Sequence, residues 1–231
     1  IKNKTDKIEE LREIYNSYIQ KDIKALIKGE NMSAYNNLIK VLSSQIGGLL
    51  NIHELSNTLM IGRRQLLTYL DILEQTFIIK TVPPLYSNKR TEISKMPKLY
   101  LLDTGIGNFS LGNFQDIEYR ANIGSFIENF IFNELIKYKP IHYNVYFWRT
   151  KQGSEIDFII EGDNELIPVE VKWRQTARLI IPKSFDSFFG SRKNVRKAVI
   201  VTKNLDGVVK KDGVETRFIP AILFGKFIKS L

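Results

Sequence analysis

Asp157, Glu170 and Lys172 stand in two short runs whose spacing lets them meet. The first run is Gly153-Ser154-Glu155-Ile156-Asp157-Phe158-Ile159-Ile160 and the second is Ile167-Pro168-Val169-Glu170-Val171-Lys172-Trp173. Residues 162–165 (Gly, Asp, Asn, Glu) read as a four-residue turn joining two strands. A symmetric turn pairs 161 with 166, 159 with 168 and 157 with 170. Asp157 then opposes Glu170, and Glu155 opposes Lys172. Side chains alternate across a sheet, so these four share one face, while Ile156, Phe158, Ile160, Val169, Val171 and Trp173 share the other and are expected to be buried. Carboxylates facing each other at about 5 Å repel. A divalent cation between them removes that penalty, and two carboxylates with the Val171 carbonyl nearby suit magnesium. Lys172 is placed to orient a water and to stabilise charge on a phosphate. The same residues also fit an amphipathic hairpin carrying a Glu155–Lys172 pair on a solvated face.

A third carboxylate, Glu128, sits on an expected helix from Gly124 to Lys137, among Phe126, Ile127, Phe130, Ile131 and Phe132. A carboxylate in such surroundings is costly unless something pairs with it. The other reading is a helix-border Glu beside Glu134 and Lys137. The chain has no Cys and two His, which excludes thiolate catalysis, disulfides and Cys/His zinc sites. Any metal must take oxygen ligands, which points to magnesium, manganese or calcium.

The balance of 34 Lys and Arg against 25 Asp and Glu, a net charge of +9, favours a polyanionic partner. Residues 123–231 hold 18 basic and 12 acidic side chains, against 16 and 13 before them. Eight Lys or Arg, among them Arg174 and Arg178, lie between Lys172 and Lys197, with Asp186 as the single acid. Trp148, Arg149 and Lys151 precede the hairpin, so cations flank the carboxylates in sequence on both sides. A solvated basic face fits that run equally. Tyr143, Tyr146 and Trp148 read as core aromatics.

These residues need elements to position them. The texture of the chain changes near residue 105, and we divide it into 1–105 and 106–231. The first part begins with a helix from Lys7 to Lys28, ended by Gly29, and a second from Ala34 to Gln45, capped by Ser33 and stopped by Gly47 and Gly48. A short helix, Ile52 to Leu59, a turn at Met60, Ile61 and Gly62, and a longer helix, Arg63 to Gln75, follow. Leu66, Leu70, Leu73 and Phe77 form the buried side of that last helix. Strands Phe77 to Val82 and Leu99 to Leu102 flank a polar stretch from Ser87 to Lys98. Helix, turn, helix and two-stranded ribbon is the winged-helix order. Its second helix would offer Arg63, Arg64, Gln65 and Thr68 to base edges, and its wing Lys89, Arg90, Lys95 and Lys98 to phosphates. Winged helices serve protein contacts as well as DNA. The second part reads as helix, three-strand meander (Tyr143 to Arg149, Glu155 to Glu161, Ile167 to Trp173), helix and strand (Ala198 to Thr202), with Thr216 to Ile219 and a helix Ala221 to Lys229 at the end. The fold class is therefore α/β in the mixed α+β sense, with a helical first region and a central mixed sheet in the second.

With Glu128, Asp157, Glu170 and Lys172 taken together, the second part resembles the PD-(D/E)XK nuclease superfamily, the restriction-endonuclease-like fold. The resemblance implies that Glu128, Asp157 and Glu170 hold magnesium or manganese and that Lys172 is the catalytic lysine. The family's Pro-Asp dipeptide is absent, since Ile156 precedes Asp157. Tyr18-Ile19-Gln20-Lys21-Asp22, Pro97 to Gly105 (PKLYLLDTG) and Phe147-Trp148-Arg149-Thr150 extend the likeness to the C-terminal portion of archaeal and bacterial AAA-type ATPases, over nearly all of the chain. A GxxxxGK[ST] phosphate loop is missing and the first residue is Ile1, so the resemblance implies an ATPase domain elsewhere in a longer chain. The function expected is DNA binding with metal-dependent phosphodiester hydrolysis by a deoxyribonuclease. Its alternative is a nuclease fold that no longer cuts and serves the ATPase as a DNA- or partner-binding arm. No run of eighteen apolar residues is present, so no membrane partner is expected. With no signal peptide, the expected location is cytoplasmic. A homo-oligomer is compatible with everything above.

Overall fold

The computed structural model of the protein describes residues 3–17, 23, 26–27, 32–86, 96–175 and 177–231. The fold is mixed α/β, as expected. The chain forms two compact units, one of residues 1–81 and 99–121, the other of 82–98 and 122–231.

The first unit is helical. Helices α1 (Lys4–Tyr15), α2 (Met32–Ser44), α3 (Ile52–Leu59), α4 (Arg63–Gln75) and α5 (Thr104–Leu111) surround one apolar core. Amphipathic spacing explains α2, which buries Tyr35, Leu38, Ile39 and Leu42. Ser33 lies inside that helix, since α2 begins at Met32, and is not its cap. The expected first helix beyond residue 17 falls largely outside the described residues. Asn51 caps α3 by accepting from the His53 and Glu54 N–H groups, and Met60 ends it in the left-handed region at φ 52°. Helix α4 then buries Leu66, Tyr69, Leu70 and Leu73. Phe77 is not on that buried side. It is 76% exposed at φ 58°, and the strand β1 (Ile79–Val82) starts two residues later, because the chain must turn before it can extend. Strand β2 (Lys98–Leu101) completes a two-stranded sheet with β1.

The second unit is built on a six-stranded sheet. Helix α6 (Ile123–Tyr138) precedes β3 (Asn144–Arg149), β4 (Glu155–Gly162) and β5 (Glu165–Lys172); then come α7 (Lys183–Ser191), β6 (Lys197–Thr202), β7 (Gly207–Lys211), β8 (Val214–Pro220) and α8 (Phe224–Ile228). The strand order is β3-β4-β5-β6-β8-β7, with β5, β6 and β8 parallel and the other pairs antiparallel. Phe132 of α6 stacks on Phe158 at 6.1 Å between centroids. On the other face Phe185 and Phe188 of α7 pack with Ile156, Ile159 and Ile200.

The β4–β5 register is the one expected from a symmetric turn, running from Phe158↔Val169 to Gly162↔Glu165. The turn itself has two residues rather than four. Asp163 and Asn164 both have positive φ, at 50° and 61°, which is the hairpin geometry that Asp and Asn tolerate. A feature the sequence reading lacked lies on the other side of β4. Tyr146 pairs with Ile159 but Trp148 pairs with Ile156, so Asp157 and Phe158 together oppose Phe147. That is a β-bulge, and it changes which way every residue before Phe158 faces. Ile156 accordingly joins Ile159 in the α7-side core instead of sharing a face with Phe158.

Candidate functional site

The bulge turns Asp157 away from the α7-side core, and the pairing of β4 with β5 stops at Phe158. Asp157 Oδ2 takes the place of a ladder partner and accepts from the Val171 N–H at 2.8 Å. Its charge is thereby set beside Glu170, a buried residue of the central strand β5. Lys172, two residues on, curls back so that its Nζ donates to Glu170 Oε1. Glu170 Oε2 has no hydrogen-bond partner among the described residues. Burial pushes the Asp157 pKa up, against the pull of Lys98, the Val171 N–H and Lys172. Burial and then the Asp157 charge push Glu170 up to about 7, with Lys172 opposing.

The centre of this cluster is a residue placed differently from expectation. Lys98 opens β2 but does not lie on a solvated wing. It is 3% exposed, and its Nζ lies 2.5 Å from Glu155 Oε1, 3.2 Å from Glu128 Oε1 and 3.8 Å from Asp157 Oδ1, all within the second unit. Burial alone would lower its pKa, but the fields of Glu128, Asp157 and Glu155 win and raise it above the ordinary lysine range. Lys98 also lies 5.7 Å from the centroid of the Phe147 ring. The expected Glu155–Lys172 cross-strand pair is therefore absent. The bulge sends Glu155 to Lys98, with Arg149 Nε at 3.6 Å from its other oxygen.

The site thus gathers Glu128, Asp157, Glu170 and Lys172, the four residues of the expected constellation, and adds Lys98 and Glu155. The signal for Lys98 was its position: a cation directly before Leu99, Tyr100 and Leu101, a strand buried at every residue. Such a lysine needs counter-charges.

The remaining expected residues divide. Arg63, Arg64 and Thr68 are exposed on α4 of the first unit, with Thr68 Oγ1 donating to the Arg64 carbonyl at 3.1 Å. Gln65 is half-buried and its amide donates to the Tyr69 hydroxyl at 3.0 Å, so it is turned along the helix. Arg149, Arg174 and Arg178 are exposed in the second unit. Lys89 and Arg90 lie outside the described residues, as does Lys95.

The donor chemistry fits a hard divalent ion: every acidic ligand is an oxygen, and Glu170 Oε2 is a buried acceptor with capacity to spare. The geometry is not that of a ready cage. Among the described residues no three Asp, Glu or His side chains are grouped to hold an ion, and the cation lodged between Glu128, Glu155 and Asp157 is the Lys98 ammonium.

The family described as Domain of unknown function (DUF8612) matches residues 1–116, half of the chain, and the chain belongs to that family. A second, described as Domain of unknown function (DUF4143), matches residues 123–222. An uncharacterized protein of Haemophilus influenzae is 24% identical over 214 residues, covering 89% of this chain and 50% of that protein. One of Methanocaldococcus jannaschii is 27% identical over 212 residues, covering 88% and 46%. One of Mycobacterium tuberculosis is 25% identical over 162 residues, covering 69% and 36%. The chain spans half or less of the length of these relatives. Among the described residues no helix is long and apolar enough to cross a membrane.

Proposed function

We propose that this member of the DUF8612 family binds DNA and that its second unit is a restriction-endonuclease-like domain hydrolysing phosphodiester bonds with magnesium or manganese. The observation that carries the reading is the half-buried Asp157 beside the buried Glu170, with Lys172 on the Glu170 carboxylate and an oxygen of it without a hydrogen-bond partner among the described residues. A divalent ion, when bound, neutralises phosphate charge and makes a water nucleophilic near neutral pH. Asp157, Glu170 and Glu128 are the residues that would hold it. Lys172, whose side chain is 40% exposed, can reach a phosphate oxygen while its other contact stays on Glu170. Arg149, Arg174 and Arg178 would bind the flanking backbone. In the first unit, α3, the Met60–Gly62 turn and α4 follow the helix-turn-helix order, and exposed Arg63 and Arg64 open the second helix; these features support a winged helix that positions DNA. The DUF4143 match, to a family often found in AAA-ATPase-associated proteins, supports an ATPase partner domain in the same longer protein.

The test is nicking of supercoiled plasmid in magnesium or manganese by the native protein, Asp157→Ala and Lys172→Ala. The expected result is cleavage by the native protein and a loss of about a hundred-fold or more in each variant. Equal cleavage by all three rules the site out. A second reading, a DNA- or partner-binding module that does not cut, is favoured by Lys98, whose ammonium already satisfies three of the four carboxylates. Strong salt-dependent DNA binding without metal-dependent nicking selects it.

A further inference from the structure

Among the described residues, Glu128, Glu155 and Asp157 converge on the Lys98 ammonium, Glu155 also meets the Arg149 guanidinium at 3.6 Å, and Glu170, beside Asp157, is served by Lys172. Lys172 is partly exposed and serves Glu170. Lys98 is enclosed, and its Nζ reaches three different carboxylates that come from α6 and β4. A tethered cation has a high local concentration at its own ligands, because the chain has already brought it there. A free divalent ion approaching Glu128 and Asp157 must displace that ammonium or sit beside it, and two cations a few ångströms apart in a buried setting repel strongly. Unused capacity nonetheless exists, in the unpartnered Oε2 of Glu170, whose side chain is 6% exposed.

We propose that Lys98 is the built-in cation of this site and gates divalent binding: the ion binds Glu128, Asp157 and Glu170 together only when the Lys98 ammonium is withdrawn or removed. The inference rests on reading these carboxylates as divalent-ion ligands, and it makes Lys98 a positioning and gating residue that does no chemistry of its own. Replacing Lys98 by Met keeps the length and apolar stem of the side chain and deletes the charge. It converts a lysine-neutralised cluster into an ion site.

The test is manganese binding, followed by electron paramagnetic resonance of free Mn²⁺ and by calorimetry, on the full chain and on Lys98→Met. Binding by Lys98→Met at least about ten-fold tighter than by the native chain is expected, and introducing Asp157→Asn into the variant abolishes the gain. Equal affinities, or no binding by Lys98→Met, overturn the proposal. The variant removes the ammonium that Glu128, Glu155 and Asp157 share and is expected to be less stable in chelator. If it does not fold there, millimolar Mn²⁺ is expected to restore a cooperative thermal transition that the native chain shows with or without the ion. Failure to restore it overturns the proposal as well. The outcome is separable from the nuclease reading. A native chain that nicks plasmid while both proteins bind Mn²⁺ alike keeps the nuclease and sinks the gate. Tight Mn²⁺ binding by Lys98→Met, with no nicking by either protein, keeps the gate and sinks the nuclease.

Discussion

Glu170 is a carboxyl group whose ionisation the protein resists. Its pKa is raised to about 7 by burial and by the neighbouring Asp157 charge, so between about pH 4.5 and 7 the folded chain holds a proton that the unfolded chain has lost. Stability must then fall as pH rises through that window, since the unfolded state is the one stabilised by ionisation. Glu170→Gln removes the proton equilibrium and is expected to flatten the decline, leaving the variant more stable above pH 7 by about 1–3 kcal/mol in chelator. Urea midpoints measured across that range check this, and parallel pH profiles for the two proteins would contradict it. The residues of this site were unequally legible. Asp157, Glu170 and Lys172 lie within one hairpin, so strand alternation and a symmetric turn are enough to bring them together. The apolar run after Lys98 hints that it is buried, but its partners were not legible, because the one on α6 is 30 residues away and the others lie on β4, beyond the reach of local patterning.

At the scale of elements, the hairpin turn and the bulge decide where those side chains face. Asn164 sits at φ 61°, where an asparagine is tolerated and a β-branched residue is not. Asn164→Val is expected to cost about 1–2 kcal/mol, read as a lower urea midpoint; an unchanged midpoint would show that the turn is not left-handed. The β4–β5 register was readable because Gly-Asp-Asn-Glu between two apolar runs reads as a turn, and a symmetric turn fixes the pairing even though its true length is two residues. The bulge on β4 was not, since it depends on how β3 pairs, and nothing in the alternation of β4 announces an extra residue. Strand β7 escaped for a related reason: it is an edge strand, mostly exposed, ending in Lys210 and Lys211, with little apolar alternation to detect. The α3–α4 pair was readable from the turn at Met60, Ile61 and Gly62 and from the Leu66, Leu70, Leu73 spacing. If α4 meets DNA, Arg63→Ala with Arg64→Ala weakens binding by about ten-fold or more and lowers the slope of log affinity against log salt by about two. An electrophoretic titration at several salt concentrations measures both, and an unchanged slope would assign those arginines to solvent.

The whole molecule is two units whose residues alternate along the chain. The backbone passes from the first to the second at 81/82, returns at 98/99 and leaves again at 121/122. Residues 82–98 therefore belong to the second unit although the rest of it begins at Asn122. Two of their contributions are visible: Pro84 bridges Phe147 on β3, with the Leu85 N–H donating to the Phe147 carbonyl at 2.7 Å, and Lys98 neutralises the carboxylate cluster. A fragment of residues 122–231 keeps all six strands of the sheet but loses both. Removing one partner from a buried ion pair costs about 3–5 kcal/mol because the other charge is left buried and uncompensated. That is a large part of the stability of a domain this size. The two tryptophans, Trp148 and Trp173, both lie in the second unit, so tryptophan fluorescence follows that unit alone. In chelator, the fragment is expected either to lose a cooperative fluorescence transition in urea or to show one at a clearly lower midpoint than the full chain. An equal midpoint would mean that residues 82–98 add nothing to the unit, and with it the case for Lys98 as the internal cation of the site would fall.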